Sequence, residues 1–517
     1  MHNRLKVRTT EAQKAAADRE KEKKLQLYRN AINDVFERRS RKEYDILALK
    51  SSEGLLRSNP DIVTIWNYRK EILLHMKPSE EIINDELYLT EKCLQVNPKS
   101  YSAWYHRNWL LDNVDPNPDW NKELKLCTKY LKLDERNFHC WDYRQIVASK
   151  CQEPIENELK FTMEMIESNF SNYSAWHYRS KLFGAAGKDE ECTKISELSL
   201  VESAAFTDPS DQSAWIYQRW LIGKLEPSKI IYKVSQIKNT VYLILNRNLP
   251  SNYKIIGLGE TIWEQFDSKI WFKKLDNINS TKIQIIDELN QEIDDVSIDN
   301  VQKDIFNLDI SEQLQLVLNG QLDSLRQLLE LEPESKWAIL TYVLLLYTLK
   351  PKDYFENCLK NIKLLKVLDT KRKNYYHDLE SRYKIEHWIA NNNNNNMDDV
   401  NLKGYGLTAF YHMHMFLFNI NIDLSDNDLS HSNLNHLKYL IMCKKLSLKN
   451  CKLVNLNNFP ALNNLESLDL RDNTIQEISC EELTKCKLLK TIIIDNKQIA
   501  LGKILQGINQ SINIEIL

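Results

Sequence analysis

Glycine is scarce, with 11 in 517 residues. That leaves little material for the Gly-rich loops that cradle phosphates. No such loop is written, and no G-x-S-x-G nucleophile elbow. The ten cysteines are scattered and none forms a C-x-x-C pair, which excludes a zinc ribbon or a redox motif. Scattered thiols in a chain this long fit a reducing compartment. H-E-x-x-H is absent. Neither sign of charge dominates: 69 Lys and Arg stand against 72 Asp and Glu, net −3, which gives no basic field for nucleic acid or anionic lipid. The longest apolar stretch, AILTYVLLLY at 338–347, is too short to span a bilayer. The first 24 residues are charged and lack the apolar core of a secretory leader. The expectation is a cytoplasmic protein of several domains, with no metal site and no complete active site of its own.

What is present is repetition. WNYR, WYHR, WDYR, WHYR and WIYQR begin at Trp66, Trp104, Trp141, Trp176 and Trp215, at steps of 38, 37, 35 and 39 residues. The last phrase slips by one, setting Gln218 where the Arg belongs and Arg219 after it. Pro60, Pro98 and Pro209 each lie six residues before their Trp. A fixed period of this length marks an array of supersecondary units. Helix-period stretches such as ELYLTEKCLQV at 86–96 precede each phrase, and the Asn-Pro or Asp-Pro breaks that helix. The next helix is predicted at or just past the Pro. Trp and Arg at i and i+3 then share a face, where stacked hairpins bury the indole and the guanidinium reaches rings, carbonyls or carboxylates of the next unit. Upstream, Leu25, Tyr28, Ile32, Val35 and Phe36 predict one charged amphipathic helix over about 11–45.

The pattern changes near 228. IIYKV, NTVYLIL, YKIIGL, KIWFKKL and TKIQII predict an antiparallel β-sandwich over 228–295, inserted into the helical array. Helical signal returns over 296–390, with a sixth, degenerate hairpin around Trp337. NNNNNN lies at 391–396, and 391–399 reads as a flexible connection. From 400 to 517, IDLSDNDL, LSLKNCKL, LDLRDNTI and IIIDNKQI follow the leucine-rich pattern, with Asn427, Cys451, Asn473 and Lys497 in register. In such repeats the Asn or Cys side chain bonds backbone inside the turn.

Five W-x-[YH]-R hairpins at this period resemble the repeats of protein prenyltransferase alpha subunits. MHNRLKV at the start, DERNFHCWDYR at 134–144, LEPESKW at 331–337 and the leucine-rich tail narrow the resemblance to the Rab geranylgeranyltransferase (type II) branch. It implies a mainly α fold: a right-handed α-α superhelix of hairpins with an immunoglobulin-like insert and a leucine-rich domain. It implies a heterodimer whose beta subunit holds zinc and the lipid pocket. That pair would transfer geranylgeranyl from the diphosphate to C-terminal cysteines of Rab GTPases presented by an escort protein. Magnesium dependence is left open.

The resemblance also selects residues. Lys99 matches the position of a lysine near the diphosphate, where a helix N-terminus would reinforce its charge; the plain alternative is a solvated turn lysine. Tyr101, Asn137, Phe138 and His139 match the rim facing the diphosphate and the acceptor tail. His139 could hydrogen-bond either one, or face the partner. His2, on a short basic arm, could reach the partner's zinc and block it, or be a solvent-exposed end. The leucine-rich concave face is a candidate surface for Rab or its escort. Two other classes stay open: a non-catalytic adaptor built of two solenoids, and an alpha subunit of a farnesyl or type I enzyme, which the leucine-rich tail disfavours.

Overall fold

The structure is a computed structural model and describes residues 11–185, 191–223, 225, 227, 229–258, 262–274, 282–297, 306, 308, 310–350, 352–392, 398–475, 480–495 and 513–516. The chain divides into two compact units between residues 190 and 191.

The first unit opens with helix α1 (Glu11–Ser40). It stops short of the expected 45: Lys42 takes φ +56°, which breaks the helix before α2 (Ile46–Ser58). Of its expected apolar face only Val35 is fully buried, and Leu25 and Phe36 are exposed. Hairpins follow. α2 pairs with α3 (Val63–Met76), α4 (Glu80–Val96) with α5 (Tyr101–Asn113), α6 (Trp120–Leu133) with α7 (Phe138–Cys151), and α8 (Ile155–Ser168) with α9 (Tyr173–Ala185).

One turn chemistry recurs. Asn59, Asn97, Asp134 and Asn169 leave the helical region and cap the first helix of their hairpins, each N–H donating to the carbonyl four residues back. All four lie seven residues before their Trp. After Pro60 and Pro98 the second helix begins three residues later, not at the Pro itself. The reason is the indole. Trp66 Nε1 donates to Pro60 O at 2.7 Å, Trp104 to Pro98 O at 2.9 Å, Trp141 to Glu135 O at 2.8 Å and Trp176 to Phe170 O at 2.9 Å. The six-residue spacing is thus a hydrogen bond from a buried ring to its own turn.

The second unit continues the theme. α10 (Glu191–Thr207) pairs with α11 (Gln212–Gly223), and Trp215 Nε1 reaches Pro209 O at 3.1 Å. Seven strands follow: β1 (Ile231–Ile237), β2 (Thr240–Leu245), β3 (Lys254–Gly257), β4 (Glu264–Asp267), β5 (Ile270–Lys274), β6 (Lys282–Ile286) and β7 (Glu292–Ser297). They form two antiparallel sheets, β1-β2-β5-β4 and β3-β6-β7, around a core with Ile231, Val234, Leu243, Ile283, Ile285 and Val296 from both. The helices resume with α12 (Glu312–Leu331) and α13 (Lys336–Leu349), then α14 (Tyr354–Leu368) and α15 (Lys373–Asn391). α12 and α13 pack on α10 and α11 across the insert.

The sixth hairpin differs from its expectation. Its first helix is capped by Glu332, seven residues before Ile339. Ile339, fully buried, therefore holds the in-register Trp position, and Trp337 stands two residues early.

Six short parallel strands close the chain: β8 (Asp399–Asn401), β9 (Asn421–Asp423), β10 (Lys445–Ser447), β11 (Ser467–Asp469), β12 (Thr491–Ile494) and β13 (Asn513–Ile516). Asn427 and Asn473 bond backbone inside their turns: Nδ2 of Asn427 donates to Leu402 O and Leu424 O, and Oδ1 of Asn473 accepts from Cys451 and Leu453. Cys451 Sγ lies 3.1 Å from Leu424 O. Lys497 falls outside the described residues.

This sheet shares a core with its neighbours. Val400, Leu402, Ile422, Leu424 and Leu446 pack in one cluster with Ile385 and Ile389 of α15 and with Tyr232, Ile244 and Ile270 of the insert. Lys438 pairs with Asp267 at 2.9 Å, and His414 Nε2 lies 3.1 Å from Leu245 O.

Candidate functional site

The Arg of each phrase is buried and does several things at once. Arg107 Nε and Nη2 donate to Glu123, both at 2.6 Å, while Nη1 reaches Leu87 O and Thr90 Oγ1 at 2.8 Å. Arg144 holds Glu158 at 2.5–2.8 Å and Thr128 at 2.8 Å, and its guanidinium lies 3.6 Å from the Phe161 ring centroid. Arg69 clasps Glu86 with two nitrogens and also reaches Leu49 O and Ser52 Oγ at 2.6 Å. A third group completes each lock: His106 Nε2 lies 2.8 Å from Glu86, Tyr143 donates to Glu123 at 2.7 Å and Tyr178 to Glu158 at 2.9 Å. One buried carboxylate thus joins the Arg of the preceding hairpin to the Tyr or His of its own. Burial pushes the Glu86 carboxyl up, but the charge of Arg69 and the bonds from Arg69 and His106 outweigh it and hold it at about 2. Sequence reasoning named the Trp and Arg and missed these acids. Their signal is a Glu twenty residues before each Tyr or His, repeated at 86, 123, 158 and 197.

The fifth phrase shows the same lock without charge. Gln218 Nε2 donates to Gln321 Oε1 at 3.1 Å, and Gln321 Nε2 donates to Leu198 O at 2.8 Å. Arg and Glu have both become Gln, and the pair joins α11 to α12 across the insert.

With these side chains committed inside, the turns and the exposed faces of the second helices carry what remains. Lys99 lies in the turn two residues before α5, not in its first turn. Its Nζ is 3.5 Å from Asp134 Oδ2 in the next turn, and more than half of the side chain is exposed. Tyr101 is 71% exposed and opens α5. Its ring meets His139 edge-on, centroids 4.1 Å apart, and Phe138 at 6.3 Å. Phe138 and His139 are themselves 4.0 Å apart. Lys99, Tyr101, Phe138 and His139 therefore come together on two adjacent turns. Asn137 serves their frame: it is buried, its Oδ1 accepts from the His139 and Cys140 N–H groups, and its Nδ2 donates to Pro98 O at 2.9 Å. Burial lowers the His139 pKa; the charge of Asp142 opposes this and that of Lys99 adds to it.

Tyr101, Phe138 and Tyr173 occupy one register, three residues before their Trp, and each is about half exposed or more. Tyr105, on the next turn of α5, is 65% exposed beneath the Lys70 ammonium at 4.0 Å. A row of open aromatic rings on successive helices is the composition of a protein interface. Among the described residues, no three His, Cys, Asp or Glu side chains converge to hold a metal ion, and no helix is long and apolar enough to cross a membrane. His2 lies outside the described residues.

The protein prenyltransferase alpha subunit repeat matches residues 47–76, 83–114, 120–151, 155–186 and 195–225. The chain is 33% identical to the geranylgeranyl transferase type-2 subunit alpha of Bos taurus, a match covering all of this chain and 95% of that one. It is 36% identical to the Homo sapiens protein of the same name, over 83% of this chain and 84% of that one. A Dictyostelium discoideum relative of that name is 34% identical over half of this chain, yet the match spans 84% of its own length. The hairpins built on the lock of Trp, Arg and Glu coincide with those repeat matches, and the chain belongs to the family of geranylgeranyl transferase type-2 alpha subunits.

Proposed function

We propose that this chain is the alpha subunit of a two-chain enzyme that moves geranylgeranyl from its diphosphate to the C-terminal cysteines of Rab GTPases presented by an escort protein, and that it acts only with a beta subunit. The observation that carries this reading is the full-length match to relatives of that name. The row of Tyr101, Tyr105, Phe138 and Tyr173 is the surface offered to the beta subunit. The zinc belongs, in this reading, to the beta subunit, as the resemblance to the family implies. The compartment is the cytoplasm, where free thiols persist.

The task left to this chain is electrostatic. A departing diphosphate builds negative charge that fixed cations stabilise. Lys99 is exposed and its ion pair with Asp134 is long, so its ammonium is readily redirected to phosphate oxygens. The His139 ring and the Tyr101 hydroxyl add hydrogen bonds beside it.

Co-expression with a candidate beta chain, followed by lipid transfer to Rab with and without escort protein, tests the whole reading. In that complex Lys99→Ala should lower kcat roughly tenfold to a hundredfold with KM for the diphosphate little changed. An unchanged kcat would leave Lys99 a turn residue.

A further inference from the structure

The slipped phrase on α11 frees one guanidinium. Gln218 takes over the lock, and Arg219 stands four residues after Trp215. Among the described residues Arg219 meets no carboxylate. Its partners are the Thr341 hydroxyl, 3.3 Å from Nη1, and the Trp337 ring, whose centroid lies 5.3 Å from the guanidinium carbon. The same indole receives Arg372 at 4.7 Å and Lys336 at 5.1 Å. Arg372 has its own carboxylate, Asp369 at 2.8 Å, which also accepts from Tyr376. Arg219 has none. Burial pulls its pKa down to about 10; Tyr375 and Tyr376 offset this slightly, and Arg372 adds to it.

Arg69, Arg107 and Arg144 are buried with a paired carboxylate each. A guanidinium partly withdrawn from water beside a second cation, without an anion, is the unfavourable case. An aromatic face shared among three cations offsets only part of it. The register says where the missing charge would come from. Four residues after the Trp, the earlier hairpins carry Lys70, Asn108, Gln145 and Ser180, all partly exposed on the second helix. Arg219 is itself partly exposed on α11. An incoming side chain can therefore reach the group.

We propose that Arg219 is the anchor for a carboxylate side chain of the beta subunit, received on the side of the guanidinium that the Trp337 indole leaves open. The inference rests on the proposed pairing with a beta chain. It makes the free alpha chain carry an unneutralised cation that association resolves, so one residue trades stability of the free chain for affinity.

The test uses the full chain and the beta chain, with Arg219→Met and Arg219→Lys. Thermal melting of the free chain and titration with beta chain at two salt concentrations are measured for each. Arg219→Met should melt no lower than the unaltered chain, bind beta about 30-fold or more weakly, and show a flatter salt dependence; Arg219→Lys should fall between. Equal affinity and equal salt dependence for Arg219→Met would overturn the inference while leaving the pairing intact. A free-chain Tm lowered by Arg219→Met, with unchanged affinity, would overturn it as well by making Arg219 purely structural. If the unaltered chain does not bind beta, the pairing itself fails and takes the inference with it.

Discussion

At the residue scale, stability rests on buried charge that is paired twice. Glu123 is held by Arg107 on one side and Tyr143 on the other. Removing one partner leaves the other ion buried alone, so Arg107→Ala should cost about 3–5 kcal/mol in urea unfolding. The double change Arg107→Gln with Glu123→Gln should recover much of this, because Gln218 and Gln321 already show that the neutral lock fits the fold. A double variant no better than the single would deny that equivalence. Acid should act on the same groups. Glu86 titrates at about 2 in the folded chain against about 4.3 when unfolded. A depressed folded pKa contributes stability that is fully present above the unfolded value. That stability should drain away as pH falls from about 4.3 toward 2, and Glu86→Gln should flatten this stretch of a stability-against-pH curve. The Trp-Arg phrase was legible because both residues are rare and repeat in register. The acids were not, since a Glu in a helix is ordinary until its twenty-residue spacing is counted.

At the scale of elements, reading was best where side-chain type and period agreed. Five strands of the insert were visible as β-branched runs. β4, written EQFD, and β7, written EIDDVS, were missed because acidic residues dominate them. β8 was hidden for a different reason: Tyr405 stands where the leucine-rich pattern expects Asn or Cys, as the pairing of Asn401 with Asp423 shows. The second helix, expected at or just past the Pro, starts three residues past Pro60, Pro98 and Pro209, and the indole bonded to the turn carbonyl leaves no trace in helical periodicity. The candidate rim depends on that turn. Asn137 caps α7 and ties it to Pro98, so Asn137→Ala should destabilise the fold by about 1–2 kcal/mol. It should also loosen the Phe138 and His139 rings. Thermal melting checks the first effect, and faster amide exchange at residues 138–140 the second.

On the scale of the whole molecule, the order of modules was legible and their independence was not. A run of six asparagines reads as a flexible connection, and most of it lies outside the described residues. On either side of it α15 reaches Asn391 and the first leucine-rich strand starts at Asp399, and both share one core with the insert. Apolar side chains reveal burial in a sequence but not which distant segment covers them. Ile389 sits at this junction, 1% exposed. Ile389→Ala should cost about 2–4 kcal/mol, and hydrogen exchange should quicken together in α15, β8, β9, β2 and β5. Acceleration confined to α15 would mean that the modules unfold separately.

That common core has a bearing on ancestry. The two Gln residues join α11 to α12 as though nothing lay between them, so the contact between these hairpins is made without the insert. The insert and the terminal solenoid, however, each shield the other's greasy side. A lineage that discarded one and kept the other would bare that side to water, so the two are best inherited, or lost, as a couple.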